Sequence, residues 1–325
     1  MSAKEQYTGL RRLSTVGKLV EMKLHGAIPP IGTPLLEGDR VDEKGLRKLN
    51  RYLLGAGVHG IFANGSMSGF AFLTEDEQVR SVATTVAEVN RAVPVMGGVG
   101  ETSTSRAVGL ARRIAAEGVD AISLLPPFYF MANQEHLIAF FSDVAAAVDV
   151  PVYLYDNPVL TKNVIQPATV VKLRERIPHL RGIKVSNADY ANLQTLIELF
   201  RKDDNFAVLT GHEFLILVGL QMGCEGFIGG IHNICPHIAV GLYEAFRRGD
   251  IERARQLQQD LIATWQVFRH GAIWGAFDEA LRYLEICERA TGEPYVTALQ
   301  DEERTAVRGI LDQYVRPYLT VAAGG

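Results

Sequence analysis

A (β/α)8 barrel (TIM barrel), carrying about three extra C-terminal helices, is the fold that the sequence predicts. Three observations predict it. Eight short apolar runs recur between residues 27 and 231, amphipathic stretches separate them, and beyond residue 250 only helical periodicity continues. A doubly wound open sheet is the alternative, but it rarely needs eight strand-helix units in one chain.

The apolar runs cover 27–31, 60–63, 93–99, 121–125, 152–155, 181–185, 207–209 and 227–231. Several are rich in β-branched residues and flanked by Gly, Pro or Asn, as expected of strands buried on both faces. Between them, Leu46, Leu49 and Leu53 mark one helix face, and Leu137, Phe140, Phe141, Val144 and Val148 mark a later one. Thr74 and Glu77 read as a reciprocal capping box opening a helix. Gly57 and Gly118 each look like a helix C-terminus leading into a strand. After the eighth unit come three stripes: Leu257, Leu261 and Trp265; Phe277, Leu281 and Leu284; Val307, Ile310 and Leu311. The chain divides into an N-terminal extension (1–24), the barrel (25–249) and a helical extension (250–325), with no low-complexity linker between the last two.

The 325 residues are 47% hydrophobic and 22% charged, and 33 Lys+Arg against 37 Asp+Glu give −4. That is too apolar for disorder and too weakly basic for a nucleic-acid footprint. No apolar run approaches the roughly 20 residues of a membrane helix. Residues 1–23 lack the apolar core of a signal peptide, so a cytoplasmic protein is expected. Cys224, Cys235 and Cys287 are too few and scattered for a disulfide framework and read as buried free thiols. The histidines form no metal-binding pair, so no metal is expected.

In such barrels the chemistry lies at the C-terminal ends of the strands. Lys184 stands there between Ile183 and Val185, and the chain has only nine lysines. Desolvation lowers a lysine's pKa and supplies the neutral amine that Schiff-base chemistry requires. A lysine paired to a carboxylate at a strand end is the competing reading. Tyr155 ends the fifth run, where a phenol could move protons beside an imine or simply pack. After the second run, Asn64-Gly65-Ser66-Met67-Ser68-Gly69 offers backbone N–H groups to a small carboxylate. Gly229-Gly230 suits either a phosphate or a close backbone approach.

Taken together, these residues resemble the dihydrodipicolinate synthase/N-acetylneuraminate lyase family of pyruvate-type class I aldolases. The resemblance runs from residue 26 through the C-terminal helices. It rests on Gly182-Ile183-Lys184, like the family's GIK, and on Leu154-Tyr155-Asp156-Asn157-Pro158, like its LYNxP. Gly65-Ser66, Pro127-Phe128-Tyr129 and Leu209-Thr210-Gly211 support it. The resemblance implies that Lys184 forms an imine with a 2-oxo acid and that Tyr155 is the general acid/base. Ser66 stands at the first threonine of the family's GTTGE. Tyr129 falls where members lend a tyrosine to a neighbouring subunit, which implies a homo-oligomer, dimer or tetramer. Gly65, Ser66 and Met67, together with His212, Asn157 and Ile228, are the expected substrate contacts. No cofactor is expected, because the imine on Lys184 does the work.

The departures matter equally. The glutamate of GxxGE is lost, and Leu160 stands where dihydrodipicolinate synthases carry the arginine that recognises the aldehyde's carboxylate. The segment Gly211-His212-Glu213 puts an imidazole and a carboxylate near the distal part of a substrate. The leading expectation is therefore a lyase acting on a 2-oxo acid, by aldol cleavage or by dehydration of a 2-keto-3-deoxy sugar acid. The alternatives are condensation of pyruvate with aspartate semialdehyde, as in dihydrodipicolinate synthase, and a non-catalytic 2-oxo acid sensor.

Overall fold

The computed structural model of the chain describes residues 23–322. The extension expected over 1–24 therefore lies outside the described residues, apart from Lys23 and Leu24. Eight parallel strands form the barrel: β1 (Gly26–Ala27), β2 (Ile61–Ala63), β3 (Val95–Val99), β4 (Ala121–Leu124), β5 (Val152–Asp156), β6 (Leu180–Val185), β7 (Ala207–Thr210) and β8 (Gly226–Phe227). They pair in the order β1-β8-β7-β6-β5-β4-β3-β2. A parallel bridge between Pro30 and Phe62 joins the segment after β1 to β2.

Around the strands run α1 (Glu43–Gly55), α2 (Glu75–Val89), α3 (Thr104–Ala116), α4 (Gln134–Ala145), the short α5 (Pro158–Thr161), α6 (Pro167–Arg176), α7 (Tyr190–Phe200), α8 (Ile216–Met222) and α9 (Pro236–Arg247). The C-terminal extension supplies α10 (Ile251–Trp265), α11 (Ile273–Tyr283), α12 (Asp301–Tyr314) and α13 (Arg316–Ala322). That is one helix more than the stripes suggested. Pro317 has no N–H to continue the ladder of α12, so a new helix starts around it, where proline is tolerated.

The first and last strands are shorter than their apolar runs. Ile28 still donates to Phe227 at 3.0 Å, but Pro29 and Pro30 cannot donate, so β1 stops. β8 stops because Gly230–Asn233 turn into a 3-10 helix. The capping box is half right. Thr74 accepts from the Glu77 N–H at 3.3 Å, but the Glu77 carboxylate accepts from Val41 N–H at 2.7 Å and from Arg80. A loop donor nearer the carboxylate wins over the reciprocal bond. Gly57 and Gly118 do end their helices, with φ of +81° and +84°.

Alternation along the strands sorts two apolar layers. Leu46, Leu49 and Leu53 belong to the layer between strands and helices. A second cluster fills the barrel interior, including Ile28, Phe62, Met96, Tyr153, Tyr155 and Leu209. Tyr153 and Tyr155 point inward and Leu154 between them points outward. Cys224 and Cys235 are buried free thiols, and Cys287 is half-buried. No helix among the described residues is long and apolar enough to cross a membrane.

Candidate active site

Strand register brings the central pair together. Tyr155 on β5 and Lys184 on β6 are direct partners, and on parallel neighbours partnered residues project to the same face. Here that face is the barrel interior. Lys184 is 4% exposed, and its Nζ lies 4.0 Å from the centre of the Tyr155 ring and 5.4 Å from that of Phe62. The phenol oxygen accepts from Asn157 Nδ2 at 2.9 Å and from the Ser66 hydroxyl at 3.4 Å. Burial pushes the Tyr155 phenol up. The charge of Lys184 and the hydrogen bonds from Ser66, Lys184 and Asn157 outweigh it, and hold the phenol below its ordinary value. A buried amine and a phenol that gives up its proton readily are thereby placed side by side.

Backbone approaches around this pair are tight. A Cβ on Gly211 would lie 1.9 Å from Ser186 Oγ and 3.0 Å from Lys184 Cε. One on Gly229 would meet Glu213 Cγ at 2.7 Å. The Gly229-Gly230 pair thus lets the backbone pass close to Glu213 and to Met67.

A cavity of about 310 Å³ opens at the pair. Six of the residues expected at the site line it: Ser66, Met67, Tyr155, Asn157, Lys184 and Ile228. Gly65 sits just behind, packed on the Phe62 ring. Two expected residues lie elsewhere. His212 is not part of the cavity wall, because its ring turns to Tyr190 and Phe214. Its neighbour Glu213 lines the cavity instead. Glu213 accepts from Ile231 N–H at 2.7 Å and from Trp265 Nε1 at 2.9 Å, and burial, the largest effect, raises its pKa against those bonds. Tyr129 is 73% exposed with φ of +81°, outside the cavity of its own chain.

Sequence reasoning missed the far wall. Trp265, Phe268, Ile273 and Trp274 come from the C-terminal extension, where no strand-end rule points. Trp265 fitted a helical stripe and read as core packing. The signal available was composition: the chain has two tryptophans, and both line this cavity.

A larger hollow of about 490 Å³ lies over α11 and α12. Its wall holds Glu279, buried among Arg282, Arg304 and Arg308, and it offers no nucleophile. That arrangement is an ion-pair network. Among the described residues no three His, Cys, Asp or Glu side chains converge as a metal site would require.

Comparison with known proteins identifies the family. Residues 23–314 match the model of the dihydrodipicolinate synthetase family. An uncharacterized DapA-like lyase of Halobacterium salinarum is 33% identical over 89% of this chain and 93% of its own. The 4-hydroxy-tetrahydrodipicolinate synthase of Methanopyrus kandleri is 36% identical over 74% and 80%. A probable 2-dehydro-3-deoxy-D-pentonate aldolase of Escherichia coli is 29% identical over 84% and 90%. Among solved structures, YagE, a prophage protein of Escherichia coli K12 crystallised with pyruvate, superposes with a TM-score of 0.84 at 28% identity, covering 89% of this chain and 98% of that one. The chain belongs to the dihydrodipicolinate synthetase family of class I lyases.

Proposed function

We propose that the protein is a Schiff-base-forming lyase acting on a 4-hydroxy-2-oxo acid, the pattern carried by 2-keto-3-deoxy sugar acids, without a metal or other cofactor. One observation carries the reading: the buried Lys184 amine lies against the Tyr155 ring, and both line one cavity.

The Lys184 amine adds to the C2 carbonyl, and the carbonyl oxygen leaves as water, taking one amine proton and one proton from Tyr155, while the protonated imine keeps the second amine proton. In the cleavage route Tyr155 takes the proton of the C4 hydroxyl. The C3–C4 bond then breaks, its electron pair moves into the imine to give an enamine, and C4 departs as an aldehyde. A proton returned to C3 and hydrolysis by water release pyruvate and restore the amine. In the dehydration route a C3 proton is removed and the resulting enamine expels the C4 hydroxyl as water. Ser66, in hydrogen-bond reach of Tyr155, would pass protons, and the Ser66 and Met67 amides would hold the substrate carboxylate.

The reading includes a second copy of the chain. Tyr129, Phe130, Met131 and Val159 are 73–82% exposed, a concentration of apolar side chains that supports an interface with a second copy. Asn163 ties their two loops together, donating to Pro127 and Phe130 carbonyls and accepting from Ala132 N–H. Tyr129 would then reach the partner's cavity, as the family resemblance implies.

A panel of 4-hydroxy-2-oxo acids tests the reading. Pyruvate release is followed by coupling to lactate dehydrogenase, and loss of substrate is followed alongside to catch a dehydratase. Turnover that disappears in Lys184→Ala supports it; turnover that survives that substitution refutes it. Efficient condensation of pyruvate with aspartate semialdehyde would favour a synthase instead.

A further inference from the structure

We propose that the group on C4 of the substrate, the part released as aldehyde, is uncharged and largely apolar, about the bulk of an aromatic ring. The inference rests on the imine-forming reading above and narrows its substrate class.

The composition of the cavity wall carries it. Close to Lys184 the wall is polar, with Ser66 and Tyr155. Trp265, Phe268 and Trp274 make much of the rest, together with Leu160 and Met67. The rings are fixed by their surroundings. Trp265 donates to Glu213 and packs against Phe214 and Phe268, with centres 4.9 and 5.7 Å away, while Trp274 packs against Phe72 at 5.7 Å. Aromatic walls held in place favour a planar apolar guest, which gains both buried area and ring contacts.

The charges exclude the alternatives. Among the described residues, Lys184 is the cavity's one cation, and in the reaction its nitrogen is already committed to the imine. The cavity's one carboxylate is Glu213. A carboxylate or phosphate on the departing aldehyde would be desolvated beside Glu213 with no arginine or second lysine to pair it. A chain of hydroxyls fares little better, since each buried hydroxyl needs a partner. Both Glu213 oxygens already accept a fixed N–H, and the Asn157 amide already donates to Tyr155. What remains is the spare acceptor capacity of Glu213, the Ser186 hydroxyl, and the second N–H and the Oδ1 of Asn157 beside Tyr155, with the Tyr129 hydroxyl of a second copy. These serve a few polar groups near the reacting carbons, while the tryptophan wall offers a polyol no partner.

Condensation with pyruvate tests this, using benzaldehyde, D-glyceraldehyde and two chains of equal length, butyraldehyde and succinic semialdehyde. Borohydride trapping of pyruvate on Lys184 is checked first. The expected result is a kcat/KM at least about tenfold higher for benzaldehyde than for glyceraldehyde, and for butyraldehyde than for succinic semialdehyde. Trp274→Ala should shift the benzaldehyde-to-glyceraldehyde ratio about tenfold toward glyceraldehyde while pyruvate is still trapped. If pyruvate is trapped but glyceraldehyde or succinic semialdehyde is used as well or better, or no aldehyde is used, the apolar pocket is refuted and imine formation stands. If pyruvate is not trapped, the apolar pocket falls, and if no other 2-oxo acid is trapped either, the imine reading falls with it.

Discussion

A phenol packed under a buried lysine is costly unless each helps the other, and the polar partners of Tyr155 show how the cost is met. Asn157 and Ser66 both donate to its oxygen, and Lys184 supplies the nearby charge. Removing only the oxygen should therefore separate binding from proton transfer. Tyr155→Phe keeps the ring over Phe62 and Lys184, and should still trap pyruvate while kcat falls about 10²–10⁴-fold, read by single-turnover kinetics and mass spectrometry. Asp156, on the same strand, gives a pH signature. Burial, opposed by bonds from Ile165 N–H and Asn187, pushes its pKa up to about 6. The folded chain thus holds this proton more tightly than the unfolded one. The associated stability is present at low pH and is lost as pH rises through about 6. Between pH 5 and 8 the wild type should lose about 1 kcal/mol more than Asp156→Asn, measured by denaturant unfolding. Lys184 was legible in the sequence because a lysine between Ile183 and Val185 violates the strand's apolar rule. Trp265 was not, because an aromatic residue on a helical stripe obeys every rule of core packing. His212 faces Tyr190 and Phe214 while Glu213 lines the cavity, because one residue's shift in a loop exchanges the side chain that faces it for its neighbour.

Elements position these residues through backbone fit as much as through side chains. The segment after β7 passes so close to β6 that a methyl group on Gly211 would have to displace the Ser186 hydroxyl and crowd Lys184 Cε. Gly211→Ala should destabilise the fold by about 1–3 kcal/mol and slow pyruvate trapping, because relief of the clash moves the reactive amine. Thermal unfolding and the trapping rate together read the two effects. The strand rhythm was legible because all eight runs are buried on both faces and stay apolar. Their ends were less so. Pro29, Pro30 and the glycines after β8 cut the ladder while the apolar signal continues, and Pro317 divides what periodicity reads as one helix. The competition of Thr74 and Val41 for Glu77 depends on a loop that only tertiary structure brings near.

At the scale of the whole molecule, the barrel carries the lysine and the phenol of the proposed imine chemistry, and the C-terminal helices line the cavity with aromatic side chains. Relatives named as synthase, aldolase and lyase are similar to this chain over most of its length, as expected when different reactions share one framework. The exposed loop carrying Tyr129 and Met131 predicts a second contribution, from another copy. Met131→Glu would bury a charge in that contact, and sedimentation should show a shift toward monomer with turnover reduced along with it. An unchanged sedimentation profile would remove the partner from the account. Every proposed step begins with Lys184 forming an imine with a 2-oxo acid. That imine is tested most directly by reducing the protein with borohydride in the presence of pyruvate and mapping the product by mass spectrometry. One pyruvyl-derived adduct on Lys184, absent in Lys184→Ala, is the predicted result. No adduct at Lys184 with pyruvate or any other 2-oxo acid, or an adduct that persists without Lys184, would contradict it.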